Sequence, residues 1–473
     1  MQDFSKKHYL CAQKTTNCND MKTFIAILAA LIAVPMFATA QKEDNVWIYA
    51  ENRIDFGTTP PTVTPTACKY RTEDNITSVA DKDGKLVYWL NGTSLYNSQD
   101  EVVYSLPEGN VAKFMYGLSI VPFPGRDNVY LFVYPDLVRG RMVVSIADGS
   151  KDLLHPKITE GYKVFPYSAN YDDGVPLFFQ KYGSRDFWLL YSYNHSIKVY
   201  ALTEDGFTYT GNEYILPKYH NTSYFINGCE MTPDRSKILA TTSYYDISIF
   251  IDLDTKTGKI KNINPINIME MEVFAFSSGN KYLYYSYGER LYRVPVEVLG
   301  VISRNQEFLE RSEYVGALGC SIGDLKFLTS GGMYFLNKDN GDYLGIIDDC
   351  DSEHPVINSK WLKLAKNAKE HSVAWFYAFP KTYCYPYGFK AEELCGGEVH
   401  FSFNDADCVS IHWDFGDGSE VVAIGQSVEH VYSSNGKYTV RLTANYSDDR
   451  PQQTVENTIK VRNILKKLVI VKE

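Results

Sequence analysis

Short apolar runs separated by tight polar turns recur along this chain, and they constrain its fold more than any other feature. Each copy has a strand of small or aromatic residues, a turn rich in Gly, Asp, Asn or Pro, and then an apolar strand. Such spacing is typical of all-β domains. The pattern occurs in five segments, the last of them weaker: 80–89, 123–132, 231–240, 276–284 and 320–328.

These repeats predict a β-propeller over residues 45–390. Four-stranded units of about 40–50 residues are typical of propeller blades, because one such sheet cannot bury both of its faces alone. We expect six or seven blades and favour seven, although the spacing is irregular around 135–158 and 162–186. Residues 46–56 are expected to close the ring by joining the last blade near 372–379. Stacked β-sandwiches are the alternative architecture.

The aromatic content agrees with β structure. Aromatic residues make up 14% of the chain and include 37 tyrosines, and Tyr and Phe favour the pleated, half-buried surfaces of sheets. One helix is predicted over residues 359–371, because Trp361, Leu362, Leu364 and Ala365 share a helical face there.

The N-terminal residues predict export. Within the segment Met21–Ala40, Lys22 precedes a short apolar run, and Ala38 and Ala40 form the small-residue pattern of a signal-peptidase site. We therefore expect residues 1–40 to be a leader that contains a Sec-type signal peptide, with cleavage before Gln41. The mature chain is expected to be extracellular or on the cell surface, or alternatively periplasmic.

The charge argues against nucleic-acid binding. The chain has 47 Lys and Arg against 57 Asp and Glu, a net charge of −10, and removal of the leader makes it −12. An acidic exported protein without basic clusters is a poor partner for nucleic acid. No apolar run after the leader is long enough for a membrane helix, so we predict no transmembrane segment in the mature chain.

The pattern changes in the C-terminal part, over residues 396–463, with a short tail at 464–473. Alternating strands there surround a W-D-F-G-D-G-S segment that begins at Trp413, followed by H-V-Y at 430–432 and G-K-Y-T-V at 436–440. In this order and spacing the module resembles the PKD domain family, which implies an Ig-like β-sandwich. The motif residues are Trp413, Asp414, Phe415, Gly416, Asp417, Gly418, Tyr432, Gly436 and Tyr438.

Elementary chemistry gives these motif residues architectural roles. Trp413 is expected to fill the core between two sheets, with Phe415 at the next position on the same face. Glycines in the intervening turn permit backbone angles that side chains block. Asp414 and Asp417 are expected to accept hydrogen bonds from turn amides, and Tyr432 to tie a loop to the sandwich. Calcium binding by the two aspartates is the less favoured alternative, because calcium requires six or more oxygen ligands.

The N-terminal part carries a second resemblance. Residues 47–56 and 78–92 are similar to the opening of bacterial gliding-motility-associated surface proteins. In that group a propeller-like region precedes PKD repeats, and a C-terminal domain often directs type IX secretion. The resemblance implies a surface location, although residues 464–473 only faintly resemble such a sorting signal.

Seven cysteines follow the leader. Because they are sparse and odd in number, they argue against a disulfide scaffold. Cys384 and Cys395 flank a short loop and form the best local candidate for a disulfide. Two buried thiols are an equally good interpretation of this pair.

The sequence contains no HExxH, no G-x-S-x-G, no glycine-rich phosphate loop and no EF-hand loop. His155, His195, His220 and His371 have no acid or nucleophile close in sequence. The acidic cluster at 348–353 is a candidate cation site, but a solvated loop is the favoured interpretation.

We therefore predict no catalytic residue, no cofactor and no metal site. The favoured function is a surface or secreted binding or adhesion protein, with the propeller as recognition platform and the PKD module as spacer or accessory glycan or protein binder. Its partner would be an extracellular or cell-envelope protein or polysaccharide. A structural component of a cell-envelope or motility machine is the first alternative, and a propeller-based hydrolase is the second.

Overall fold

A computed structural model describes the chain between residues 45 and 461. The predicted leader at 1–40, the tail at 464–473 and the expected closing segment at 372–379 lie outside the described residues. Within this span the structure leaves out 50, 59, 67–75, 82, 108–117, 168–174, 182–185, 217–225, 233–235, 243–246, 256, 269–272, 278–279, 328–331, 338, 340, 369–388, 394–396, 404–407, 425–426 and 447–452.

The described residues form strands almost throughout, so the prediction of an all-β chain is confirmed. One α-helix, α1 (Asn305–Arg311), and one short 3₁₀ helix (Val296–Val298) interrupt them. In the part of the chain that the structure describes, no helix has the length and hydropathy to cross a membrane.

The described residues of the propeller form twenty-seven strands. They are β1 (Val46–Tyr49), β2 (Asn52–Asp55), β3 (Thr62–Pro65), β4 (Thr77–Ala80), β5 (Leu86–Leu90), β6 (Ser94–Asn97), β7 (Val102–Ser105), β8 (Ser119–Pro122), β9 (Val129–Asp136), β10 (Arg141–Asp148), β11 (Lys157–Pro166), β12 (Val175–Gln180), β13 (Phe187–Tyr193), β14 (Ser196–Thr203), β15 (Gly206–Ile215), β16 (Ile226–Met231), β17 (Lys237–Thr242), β18 (Ile247–Asp254), β19 (Lys259–Asn267), β20 (Val273–Phe276), β21 (Tyr282–Tyr287), β22 (Arg290–Pro295), β23 (Glu313–Ala317), β24 (Ile322–Phe327), β25 (Met333–Asn337), β26 (Tyr343–Asp348) and β27 (Val356–Lys363).

These strands form seven sheets, which we call blades 1 to 7. Blade 1 has the three strands β1–β3, and each later blade takes the next four strands as an antiparallel meander. First strands of successive blades lie side by side, β4 beside β8 and β20 beside β24, so they converge on a common centre. This is the arrangement of a β-propeller, and seven sheets agree with the favoured blade number.

Blade 1 closes the ring from the N-terminal side. Trp47 on one of its faces belongs to the same core cluster as Tyr334 of blade 7, while Ile48 on the opposite face packs with Trp89 of blade 2. The Asn52 side chain pairs with both backbone groups of Lys366: its Nδ2 donates to the carbonyl at 3.0 Å, and its Oδ1 accepts from the amide at 2.8 Å. A buried amide satisfied in this way fixes the register of closure.

A hydrogen bond joins each blade to the next. In six successive interfaces, a side chain of one blade donates to a backbone carbonyl in the loop between the third and fourth strands of the following blade. The pairs are Arg53 with Ser98, Asn97 with Leu154, Arg126 with Glu204, Trp188 with Thr255, Asn264 with Leu299, and Tyr284 with Cys350. The acceptor loop is the same at each interface, whereas the donor varies in residue type and in its place within the blade.

The outer strand of each four-stranded blade breaks register with its neighbour. These irregularities follow Leu95, Val144, Lys198, Asp252, Leu291 and Leu344 of the third strands. Gly161 and Gly211 supply positive φ angles of 60° and 81° at two of the breaks. A bulged edge strand is a poor template for pairing with another chain, so the rim is protected against edge-to-edge association.

Three sequence predictions for the propeller need correction. The helix predicted over 359–371 is wrong, because β27 occupies Val356–Lys363 and alternates exposed with half-buried residues in the manner of a strand. The turn predicted in the weakest repeat is a break of register inside β24, between Ile322 and Leu325. The excursion predicted around 135–158 is part of blade 3, since these residues run through the end of β9, β10 and the start of β11 with their connecting turns.

The C-terminal module is a two-sheet sandwich with a single apolar core. One sheet has the order β28-β29-β32 and the other β31-β30-β33-β34. Pairing of β28 with β29 extends the sandwich to Lys390, ahead of the predicted start at 396. Its strands are β28 (Lys390–Glu393), β29 (Glu398–Ser402), β30 (Cys408–Asp414), β31 (Glu420–Ala423), β32 (Ser427–Val431), β33 (Gly436–Tyr446) and β34 (Gln453–Val461).

Candidate functional site

Trp413 lies at the centre of the sandwich core. It is fully buried at the end of β30, and its ring packs edge-on against Phe389 at a centroid distance of 5.2 Å. Phe415, the next residue on the same face, is parallel to it at 6.4 Å. Among the described residues, Nε1 of Trp413 has no hydrogen-bond partner. The indole therefore contributes apolar volume to the core.

A tight turn follows Trp413 and depends on Gly416. This glycine has φ of 74°, and a β-carbon on it would lie 2.3 Å from the carbonyl oxygen of Thr439. Gly418 also has a positive φ, 90°, but a β-carbon there would meet nothing within 4 Å. Oδ1 of Asp414 accepts a hydrogen bond from the Gly416 amide at 3.0 Å. Asp414 thus has the geometry of a turn residue.

Asp417 accepts several hydrogen bonds in the same turn. Its Oδ1 accepts from the Ser419 amide at 3.1 Å and from the Ser419 hydroxyl at 2.5 Å, and its Oδ2 lies 2.8 Å from Nε2 of His430. Burial alone would raise the pKa of Asp417, but the hydrogen bonds from Ser419 and His430 outweigh it and lower the pKa. Ser419 and His430 both belong to the motif segments of the sequence, but the sequence analysis did not pair them with Asp417.

The lowered pKa of Asp417 predicts a pH dependence for the stability of the sandwich. In the unfolded chain the carboxyl titrates near its ordinary pKa of 3.8, above its folded value. The stabilisation is therefore complete above the unfolded pKa and is lost as the pH falls through the folded pKa. Thermal unfolding of Asp417→Asn should show a shallower acid-side loss of stability than the wild type. An equally steep loss in the variant would contradict the assignment.

Ser419, His430 and Asp417 resemble a hydrolytic triad in composition but not in geometry. In such a triad the acid orients Nδ1 of the histidine, while the serine faces Nε2. Here Nε2 of His430 faces both Asp417 and, at 3.4 Å, the Ser419 hydroxyl. The hydroxyl itself donates to Asp417, and the imidazole stacks on Phe415 at 4.0 Å. This geometry holds the turn and does not present a nucleophile.

Two tyrosines fasten the neighbouring loops. The hydroxyl of Tyr432 donates to the carbonyl of Phe415 at 2.9 Å, in the manner expected of a tyrosine that ties a loop to a sandwich. Burial and the nearby Asp417 raise the pKa of Tyr432, so it remains a donor. Tyr438 donates to the carbonyl of Ser434 at 2.7 Å, after Gly436 opens β33.

The acidic cluster at 348–353 is anchored to the neighbouring blade rather than freely solvated. Ser277 of blade 6 donates to Oδ1 of Asp351 at 2.5 Å, and the hydroxyl of Tyr284 donates to the carbonyl of Cys350 at 2.6 Å. Arg293, nearly buried, donates to the carbonyl of Ser352 at 2.5 Å. The favoured sequence interpretation as a solvated loop therefore needs correction: blade 6 holds this loop in a defined conformation.

The histidines and cysteines singled out from the sequence have varied surroundings. His155 does have a local acid, because its Nδ1 lies 2.9 Å from Oδ2 of Asp152, and this contact raises its pKa. His195 has φ of 63° in the turn between β13 and β14. His220, His371, Cys384 and Cys395 lie outside the described residues, so the disulfide stays a prediction. Within the described ranges no group of three or more His, Cys, Asp or Glu is placed to hold a metal ion.

An apolar edge is exposed on the sandwich. β31 lies at the edge of its sheet and carries Val422, whose exposed fraction is 64%. Ile424, directly after the strand, is 93% exposed. Val421 between Glu420 and Val422 is also exposed, at 37%. Sequence reasoning did not predict this strand, although the run E-V-V-A-I is visible at 420–424.

A comparison with known families agrees with the C-terminal module. Residues 392–461 match the family described as PKD domain, which confirms the C-terminal resemblance. The PKD1 domain of Vibrio anguillarum Epp is similar, with 28% identity over 16% of this chain and 89% of that chain and a TM-score of 0.14. No curated protein matches the chain.

Two solved structures are also similar to this chain. The Dos1 propeller has 9% identity over 82% of this chain and 92% of that chain, with a TM-score of 0.40. A protein from Lactobacillus plantarum has 10% identity over 75% of this chain and 96% of that chain, with a TM-score of 0.37. The propeller assignment itself follows from the seven-sheet topology.

Proposed function

We propose that this chain is an exported binding or adhesion protein of the cell surface or extracellular space, or alternatively of the periplasm. The propeller would be its recognition platform, and the PKD module would be an accessory binder. The partner would be an extracellular or cell-envelope protein or polysaccharide. The match to the PKD family supports an extracellular or surface role, and the similarity of residues 47–56 and 78–92 to gliding-motility-associated surface proteins is part of the same proposal.

The exposed apolar edge of β31 is the observation that carries this proposal. Contiguous apolar patches on the surface of soluble proteins are often interaction sites. Val422 lies on β31, and Ile424 follows it directly; the outer edge of this strand has no neighbour in the described sheet. An edge strand offers backbone hydrogen bonds and adjacent side chains to an added strand. Aliphatic groups of this kind favour a protein partner over a polysaccharide.

The test is a pull-down from a cell-envelope fraction, together with a glycan array, using the chain from Gln41 onward. Aspartate at Val422 or at Ile424 should each weaken capture of a protein partner by about tenfold to a hundredfold, because each aliphatic side chain contributes ~1.5–3 kcal/mol when buried. Val431→Asp, at a site of the other sheet of the module that is 60% exposed, is the matched control and should bind normally. Hydrolytic activity without specific binding would refute the proposal.

A structural role in a cell-envelope or motility machine is a second candidate. Exposed aromatic side chains on outer strands favour it, namely Tyr209 of β15 and Tyr314 of β23, at 45% and 54% exposure. Large surface aromatics are enriched at permanent interfaces. Co-purification in a stoichiometric complex that Tyr209→Ser and Tyr314→Ser dissociate would favour this role over reversible binding. The propeller-based hydrolase is the remaining alternative and would be supported by activity that persists in these variants.

A further inference from the structure

Two lysines of the PKD module stand directly opposite each other on adjacent strands. Lys437 of β33 pairs with Lys460 of β34 in the antiparallel register. Like charges placed opposite each other across two strands destabilise a sheet. Carboxylates that contact these lysines from outside the module would offset this repulsion.

The propeller supplies one carboxylate for each lysine. Nζ of Lys437 lies 2.6 Å from Oδ2 of Asp348, and Nζ of Lys460 lies 3.0 Å from Oδ2 of Asp349. The two aspartate side chains are mostly covered, with exposed fractions of 28% and 13%. Charge-assisted hydrogen bonds of this length are stronger than neutral ones. Two acids therefore match two bases across the boundary between the modules.

The acidic side of this contact is fixed by the propeller itself. Asp348 ends β26, and Asp349 begins the loop with φ of 57°. Directly after it, Cys350 is buried and its carbonyl accepts from Tyr284 of blade 6. Asp351 is held by Ser277. Because blade 6 sets the conformation of the loop, little ordering is required when the lysines arrive.

We propose that the Asp348–Asp349 corner of blade 7 is a docking site for the chain's own PKD module, with the Lys437–Lys460 pair as its recognition element. The module is held against the propeller and is not a free spacer. Tethering in one chain raises the effective concentration to the order of millimolar, so that a contact weak between separate molecules is populated. Partly exposed ion pairs are screened by salt, so the docked arrangement opens at high ionic strength.

Small-angle X-ray scattering on the chain from Gln41 onward tests this docking. At 0.1 M salt the wild type should be compact, and at 1 M, where the Debye length falls from about 10 Å to about 3 Å, its radius of gyration should increase. K437E/K460E should be expanded at both salt concentrations. D348N/D349N should behave in the same way, and asparagine tolerates the positive φ at position 349.

A charge swap and a control complete the experiment. K437E combined with D348K restores one ion pair and should return the compact form at low salt. K363E makes the same charge change on the exposed face of β27 in the same blade and should scatter like the wild type. Circular dichroism confirms that each variant is folded. Docking is refuted if the wild type is already expanded at 0.1 M salt, or if the folded K437E/K460E and D348N/D349N chains remain compact.

Discussion

Replacing Trp413 by alanine is expected to destabilise the PKD sandwich strongly while the stability of the propeller is unchanged. Removal of a fully buried indole from a core costs ~3–5 kcal/mol. The whole stability of a small domain is ~5–15 kcal/mol. The cores of the two modules are separate clusters, so the loss should be confined to the sandwich. Differential scanning calorimetry should show its transition lowered or absent and the propeller transition unchanged.

Trp413→Phe is the matched control for this prediction. Since Nε1 of Trp413 has no hydrogen-bond partner among the described residues, phenylalanine removes volume without leaving a buried acceptor unpaired. We expect a loss well below that of alanine, because the cost of a large-to-small change grows with the cavity that remains. Equal destabilisation by the two substitutions would show that the indole nitrogen has a role that its surroundings do not reveal.

Much of the propeller was predictable because its hairpins are local. Asp81, for example, accepts from the amides of Asp83 and Lys85, a turn that the sequence D-K-D-G-K displays directly. The helix predicted over 359–371 failed for the opposite reason. The alternation of exposed and half-buried residues that identifies β27 begins at Val356, before the segment over which the helix is predicted. Its Trp361 packs against Tyr334 of β25, a contact that no local pattern specifies.

The hydrogen bonds between blades could not be predicted from the sequence, because the acceptor loop recurs in each blade while the donor residue does not. The donors to the loops of successive blades are Arg, Asn, Arg, Trp, Asn and Tyr. Any of these side chains can donate to a carbonyl, and they lie at different places in their blades, so an alignment of repeats shows neither a common residue type nor a common position for the donor. The number of blades therefore follows from the sheets more firmly than from the repeats.

The sequence motif of the PKD module predicted which residues fill the core and form the turn, but not which side chains they contact. Trp413 and Tyr432 have the surroundings expected of them. The contact of His430 with Asp417 joins residues on different strands, and the exposed edge at Val422 depends on which strand ends the sheet. The acidic corner at Asp348 and Asp349 is similar: sequence shows its charge, whereas its lysine partners are 89 and 111 residues away. Such pairings require the fold.

Gly416→Ala is expected to destabilise the sandwich strongly, and more than Gly418→Ala. Both positions have positive φ, which costs a residue with a side chain ~1–2 kcal/mol. At Gly416 the added carbon would also lie 2.3 Å from the Thr439 carbonyl oxygen, whereas Gly418 faces open space. Displacing backbone in a packed module costs a further ~1–3 kcal/mol. Because Thr439 lies on β33 in the sheet that contains Trp413, the strain reaches the core.

Chemical denaturation of the two variants separates the backbone angle from the clash. If φ alone matters, their midpoints should coincide. If the close approach to Thr439 matters as well, Gly416→Ala should unfold at the lower denaturant concentration. In a thermal melt the same difference should appear as roughly 4–8 °C per kcal/mol for a domain of this size. Coincident midpoints would contradict the close approach. They would leave Gly416 with the same role as Gly418, which is to allow a left-handed turn.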